Sequence, residues 1–398
     1  MWKNIEAAPA DAILGLTEAF KSDSNTNKVN LGVGVYKDEN GTTPVLSCIK
    51  KAENMLLEEQ ITKGYLPISG NAEYGAAVQE LLFGSGSEVI TSNRASTIHS
   101  PGGTGGLRVG ADLVKKFKPT ATLWVSSPTW ANHKGIFTAA GFEINDYPYY
   151  DSTTKGVNFD GMIGALNSVP EGDVVLLHVC CHNPTGADLN DDQWDDIIES
   201  AKANKWLPFL DFAYQGFGDS VEQDRRAVEK FASAGIDFLV ASSFSKNLAL
   251  YNERVGALTV VSPTEKEAKV AMSHIKKIIR VNYSNPPAHG GLSAKIVLTD
   301  SALKELWLDE LAQMRDRIKK MRKALVNGLI ERNVDQDFSY IIDQRGMFSF
   351  SGLSDDAVND LKENKSIYIV KGGRINVAGL TSRNIHYVCD SIADTLNN

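Results

Sequence analysis

The sequence has few cysteines, no cationic excess and no long apolar run, and each shortage excludes a class of function. Nowhere do 18 apolar residues follow one another, so no membrane-spanning helix is expected. Only four cysteines occur in 398 residues, too few for a disulfide framework. The adjacent pair Cys180 and Cys181 lacks zinc-type spacing, so no metal is expected and a reducing cytoplasm is the simplest compartment. A net charge of -8 argues against a nucleic-acid surface, since phosphate binding needs clustered Lys and Arg. The N-terminal stretch "MWKNIEAAPADAILGL" lacks the basic, apolar and small-residue order of a secretory leader. No internal repeat or low-complexity tract is visible.

What remains is a chain with 42% apolar residues, ordinary for a globular protein and long enough for one large and one smaller domain. Short apolar runs at 121–127, 173–181, 206–214 and 238–246 each read as a buried strand. Helical stretches such as 191–205 separate them, at the length of a βαβ crossover. That alternation predicts an α/β fold, a parallel sheet covered by helices on both faces. The unusual polar residues fall at the C-terminal ends of the runs, where open α/β sheets hold their ligands. Further on, Leu303, Trp307, Leu311, Met314, Ile318, Met321, Leu325 and Leu329 step by three or four. They mark one long amphipathic helix leading to a second, smaller domain.

Five features carry possible chemistry, and each has a plainer reading. In "SSFSKNLALYNERVG" (242–256), Lys246 follows a buried run; it is either a surface charge or an amine held in a pocket. "SPGGTGGLRVGADLVKKF" (100–117) opens a helix with glycines that let backbone amides approach an anion, though a structural turn explains them equally. It matches neither the dinucleotide fingerprint nor the P-loop. Asp211 ends an apolar run, where a carboxylate needs a cationic partner, structural or chemical. Arg254 could fork onto a phosphate or lie on the surface, and "CCHNPTG" (180–186) reads alone as a turn. One chemistry needs all of them: a lysine for an aldehyde cofactor, a carboxylate for its pyridine nitrogen and a phosphate cradle. Those are the demands of pyridoxal 5'-phosphate.

"SFSKN", "NERVG", "HNPTG", "DFAYQGF", "NYSNPP" and "GMFSFSG" resemble the class I, fold-type I aminotransferases, in particular their aspartate and aromatic-amino-acid branch. The likeness runs from "APADAILGL" to "GGRINVAGL" and covers nearly the whole chain. It implies a large domain (45–310) on a mostly parallel seven-stranded sheet, a small α/β domain (15–44 and 311–398) and an N-terminal arm (1–14) embracing a partner. By the same likeness Lys246 would form the Schiff base and shuttle the proton. Asp211 would hold the ring nitrogen, oriented by His133, while Tyr214 and Asn183 would bond the phenolic oxygen and Trp130 would stack on the ring. The phosphate would fall to Arg254, Ser243 and the Gly103 and Thr104 amides, with Tyr65 reaching in from the second copy of a homodimer. Arg374 would take the α-carboxylate, Arg280 the side-chain carboxylate across the interface, and Gly34 would let the small domain close.

Substrate choice reads as mixed. Val35, Lys37, Thr43, Thr104 and Asn285 resemble the aspartate branch, whereas Gly64 leaves space and "PFLDFAYQGFG" resembles the aromatic one. The expectation is a dual enzyme passing amino groups from aspartate, tyrosine, phenylalanine and tryptophan to 2-oxoglutarate, with a strict aspartate enzyme as the alternative. A lyase of the same fold and a non-catalytic regulator are the rival classes; the two carboxylate-binding arginines disfavour the first.

Overall fold

In the computed structural model, which describes Lys3, Ile5, Glu6 and residues 12–397, the apolar runs become the strands of one seven-stranded sheet. In chain order these are β1 (Ala95–Pro101), β2 (Leu123–Ser127), β3 (Ile144–Pro148), β4 (Val174–His178), β5 (Leu207–Phe212), β6 (Phe238–Ser243) and β7 (Val255–Val261). Their spatial order is β1-β7-β6-β5-β4-β2-β3. The pairs from β6 through β3 are parallel, whereas β7 runs antiparallel to both β1 and β6. Three of these strands, β1, β3 and β7, lie outside the four apolar runs read from the sequence.

The strands are near-continuously apolar because helices cover both faces. Alternate residues divide between two cores: Val174, Leu176, Phe209 and Leu239 pack on one face, Val175, Leu177, Leu210 and Val240 on the other. The helix Gly102–Phe117, here α1, follows β1 directly and buries its glycine-rich first half against the sheet. The predicted helix over 191–205 forms as Asp191–Asn204, and a capping box at Asn190 and Gln193 sets its start.

Helix α2 (Ser301–Glu331) buries all eight residues of the expected stripe. Beyond it lie two small sheets. Val29–Asn30 pairs in parallel with Ile367–Tyr368, and Phe348–Phe350 pairs antiparallel with Arg374–Asn376. The expected N-terminal arm, 1–14, lies largely outside the described residues. Among the described residues no helix is long and apolar enough to cross a membrane.

Candidate active site

The parallel register does the first work of assembly. It sets His178 at the end of β4 opposite Asp211 on β5, and Asp211 opposite Ala241 on β6. Lys246 and Arg254 follow on the connection from β6 to β7, and α1 begins beside them. The result is a cavity of about 260 Å³ at the C-terminal end of the sheet. Eleven of the expected residues line it: Gly34, Gly103, Thr104, Trp130, Asn183, Asp211, Tyr214, Ser243, Lys246, Arg254 and Arg374.

Asp211 is buried, and the His133 ring nitrogen Nε2 lies 2.8 Å from its Oδ2. His133 Nδ1 lies 2.8 Å from the Thr129 hydroxyl, so the ring is held at both nitrogens. Burial alone would raise the Asp211 carboxyl. The hydrogen bond with His133, helped by the nearby Lys246 amine, outweighs it and holds the group below the usual carboxylate range. His178 is driven down to about 3, chiefly by burial, so its ring is neutral.

Lys246 is enclosed, its ammonium 5.2 Å from the centre of the Tyr214 ring. Burial lowers its pKa and the Arg254 guanidinium adds to this, while the Asp211 carboxylate opposes it. Burial likewise pushes the Tyr214 phenol well up, so it keeps its proton.

The opposite end of the cavity is built for anions. Gly102 sits at φ +71°, and a side chain there would place its Cβ 2.3 Å from an Arg254 guanidinium nitrogen. Only glycine leaves room for that guanidinium beside the first amides of α1. Arg254 donates to the Tyr251 carbonyl at 2.8 Å, which fixes the fork's direction. Across the cavity Arg374 donates to the Gly32 carbonyl at 2.7 Å and lies 4.3 Å from the centre of the Phe348 ring. Its Nε is buried with no protein partner, a donor left for a ligand. A phosphate cradle, a caged amine, a paired buried carboxylate and an orphaned arginine donor together fit pyridoxal phosphate and a carboxylate substrate.

Two expected residues stand apart. Tyr65 is 95% exposed, and Arg280 is exposed with its guanidinium on the Ser284 hydroxyl at 2.6 Å. Neither lines the cavity of its own chain. Conversely, Leu107, His178, Ala213, Ser245, Tyr251 and Phe348 line it without having been singled out from the sequence. A strand register would have found His178, since it follows from pairing 174–178 with 207–211. The Tyr251 hydroxyl contact with Tyr36, 215 residues away, has no local signal.

Residues 26–392 match the family described as "Aminotransferase class I and II". The chain is 50% identical to an aspartate aminotransferase of Haemophilus influenzae over the whole of both chains. It is 44% identical to an aromatic-amino-acid aminotransferase of Escherichia coli over 99% of each. Its structure superposes, with a TM-score of 0.98, on an aromatic-amino-acid aminotransferase of Burkholderia pseudomallei covalently bound to pyridoxal phosphate. That chain is 49% identical, with 100% of this chain and 99% of the other covered. Sequence, fold and cavity therefore agree that the chain belongs to the class I and II aminotransferases and is a pyridoxal-phosphate-dependent transaminase.

Proposed function

We propose that this transaminase moves the amino group of aspartate and of tyrosine, phenylalanine and tryptophan to 2-oxoglutarate in two alternating half-reactions. It would work in the cytoplasm as a homodimer, each site completed by Tyr65 of the partner subunit and Arg280 of the partner subunit. The observation that carries the reading is the caged Lys246 amine between the buried, hydrogen-bonded Asp211–His133 pair and the unpaired Nε of Arg374. The large domain would span 45–310 and the small one 15–44 with 311–398, the N-terminal arm being 1–14.

When bound, pyridoxal phosphate supplies an aldehyde that carries the amino group and a protonated ring that accepts electrons released at the substrate Cα. Every other task falls to the chain. Arg254, Ser243, Ser245 and the Gly103 and Thr104 amides receive the phosphate. Asp211, kept anionic by His133, holds a proton on the ring nitrogen. Tyr214 and Asn183 donate to the phenolic oxygen, and Trp130 covers the ring face. Arg374 receives the α-carboxylate through its free edge. Lys246, whose pKa burial lowers, would take the proton from the substrate Cα and later return it.

The side-chain carboxylate of aspartate or 2-oxoglutarate would meet Arg280, while an aromatic ring would use the space beside Gly64. Relatives of both kinds lie close, one named for aspartate at 50% identity and one for aromatic amino acids at 49%. Initial rates on aspartate, tyrosine and phenylalanine with 2-oxoglutarate test the reading. Comparable turnover of all three is expected. Turnover of aspartate alone would leave the strict aspartate enzyme, the reading that Val35, Lys37, Thr43, Thr104 and Asn285 favour.

A further inference from the structure

Gly34 lines the cavity, and four carbonyls of the segment 31–36 that carries it accept from Arg374 and Asn376. Leu31 accepts from the Asn376 backbone at 2.7 Å and Gly32 from Arg374 at 2.7 Å. Val33 and Val35 accept from the Asn376 side chain at 2.6 and 2.8 Å. The segment is thereby strapped to the short strand Arg374–Asn376 that carries the substrate arginine. The Tyr36 N–H turns the other way and donates to the Tyr251 hydroxyl at 2.9 Å. Tyr251 belongs to the connection that carries Lys246 and Arg254, and its own carbonyl accepts from Arg254.

We propose that Tyr251 is a positioning residue that latches the Gly34 wall to the lysine-and-phosphate loop, so that the cavity mouth is set for the substrate's α-carboxylate. The geometry is specific. One residue touches the wall through its hydroxyl and the anion-binding arginine through its carbonyl, so an anion gripped by Arg254 and a substrate gripped by Arg374 bear on the same latch. Tyr36 is itself buried, and losing the latch removes the side-chain acceptor of its N–H. Burial pushes the Tyr251 phenol up to about 12, so the latch carries no charge at neutral pH.

The inference uses the proposed substrates only as probes. Tyr251→Phe keeps the ring in the cavity wall and removes the acceptor. In the holoenzyme, KM should rise about tenfold for aspartate and phenylalanine alike, with kcat held within about twofold, as expected for one hydrogen bond felt in binding. Without substrate, backbone-amide exchange at Tyr36 should accelerate by about tenfold or more in the variant. Unchanged exchange at Tyr36, or a fall in kcat with KM intact, overturns the latch. If the unmutated protein turned over neither amino acid, the proposed function would fall, and the exchange measurement would still decide the role of Tyr251.

Discussion

The inner end of the cavity and its rim are made in opposite ways. At the inner end, Lys246, Asp211, Tyr214, Asn183 and Arg254 come from neighbouring strand ends of one sheet, and all line one enclosed space. Their ionisation is tuned by burial and by each other: Asp211 is held charged, Lys246 is pushed toward neutrality, and Tyr214 keeps its proton. At the proposed rim, Tyr65 and Arg280 stand exposed and outside the cavity of their own chain, Arg280 bonded there only to the Ser284 hydroxyl among the described residues. In the proposed reading the amine, the buried carboxylate and most of the phosphate cradle come from one chain, while the grip on the side chain needs a second. Reaction type is built into a rigid sheet, and substrate range is left to a surface that can vary without disturbing it.

The largest effect should come from the inner end. Lys246→Ala removes the only lysine among the described residues of the cavity lining, while Asp211, Ser243 and Arg254 remain to hold the cofactor noncovalently. Transamination should be lost and pyridoxal phosphate retained, read by half-reactions and absorbance. Substantial turnover without added amines would take the lysine out of its role.

The rim should break differently. Arg280→Ala should cut aspartate turnover by about two to four orders of magnitude, the loss for about 3–5 kcal/mol when one partner of a desolvated charge pair goes. Phenylalanine turnover should stay within about tenfold, since an aromatic ring offers no carboxylate. Equal losses for both substrates would make Arg280 structural. Mixing the Arg280→Ala protein with the Lys246→Ala protein should restore aspartate activity through hybrid dimers, each with one intact site. Failure to complement, with subunit exchange demonstrated, would place each site within a single chain and erase the distinction between inner end and rim.

The inner end was legible in the sequence because its parts are local to strand ends and turns. Lys246 and Asp211 each closed an apolar run, the glycines opened α1 where expected, and the eight-residue stripe of α2 is buried throughout. What was not legible depends on register or on distance. Strand β7 hid behind the "NERVG" motif, and its antiparallel course has no periodic signature. His133 reaches Asp211 across 78 residues, a contact that only the family likeness suggested. Arg322 is invisible to pattern reading: it sits within the apolar stripe of α2, fully buried, and donates to the Gly346 and Phe348 carbonyls beneath the site. It donates to backbone carbonyls and the Ser349 hydroxyl rather than forming an ion pair, so no adjacent acid in the sequence betrays it.

The smallest effect separates two acids that both lie near the inner end. Asp211 is held low, whereas Asp188, which follows the "HNPTG" turn, is raised to about 6. Burial is the main cause; the amides of Cys181 and His182 at 2.7 and 2.8 Å and the Arg345 charge oppose it, and the Asp224 carboxylate adds to it. Part of the residue reaches the surface, but its carboxylate is packed inside. A carboxyl with a folded pKa above its unfolded value binds more protons folded than unfolded. Its contribution therefore favours folding at low pH and is lost as pH rises from about 4 to about 6, then stays level. A shift from 3.8 to about 6 corresponds to at most about 3 kcal/mol. Urea unfolding of the parent and of Asp188→Asn across that range should show the parent losing stability relative to the variant as pH rises to about 6, with a constant difference above it. A difference that stays flat from pH 4 to 6, or moves the other way, would mean that the two backbone amides hold Asp188 as firmly ionised as His133 holds Asp211.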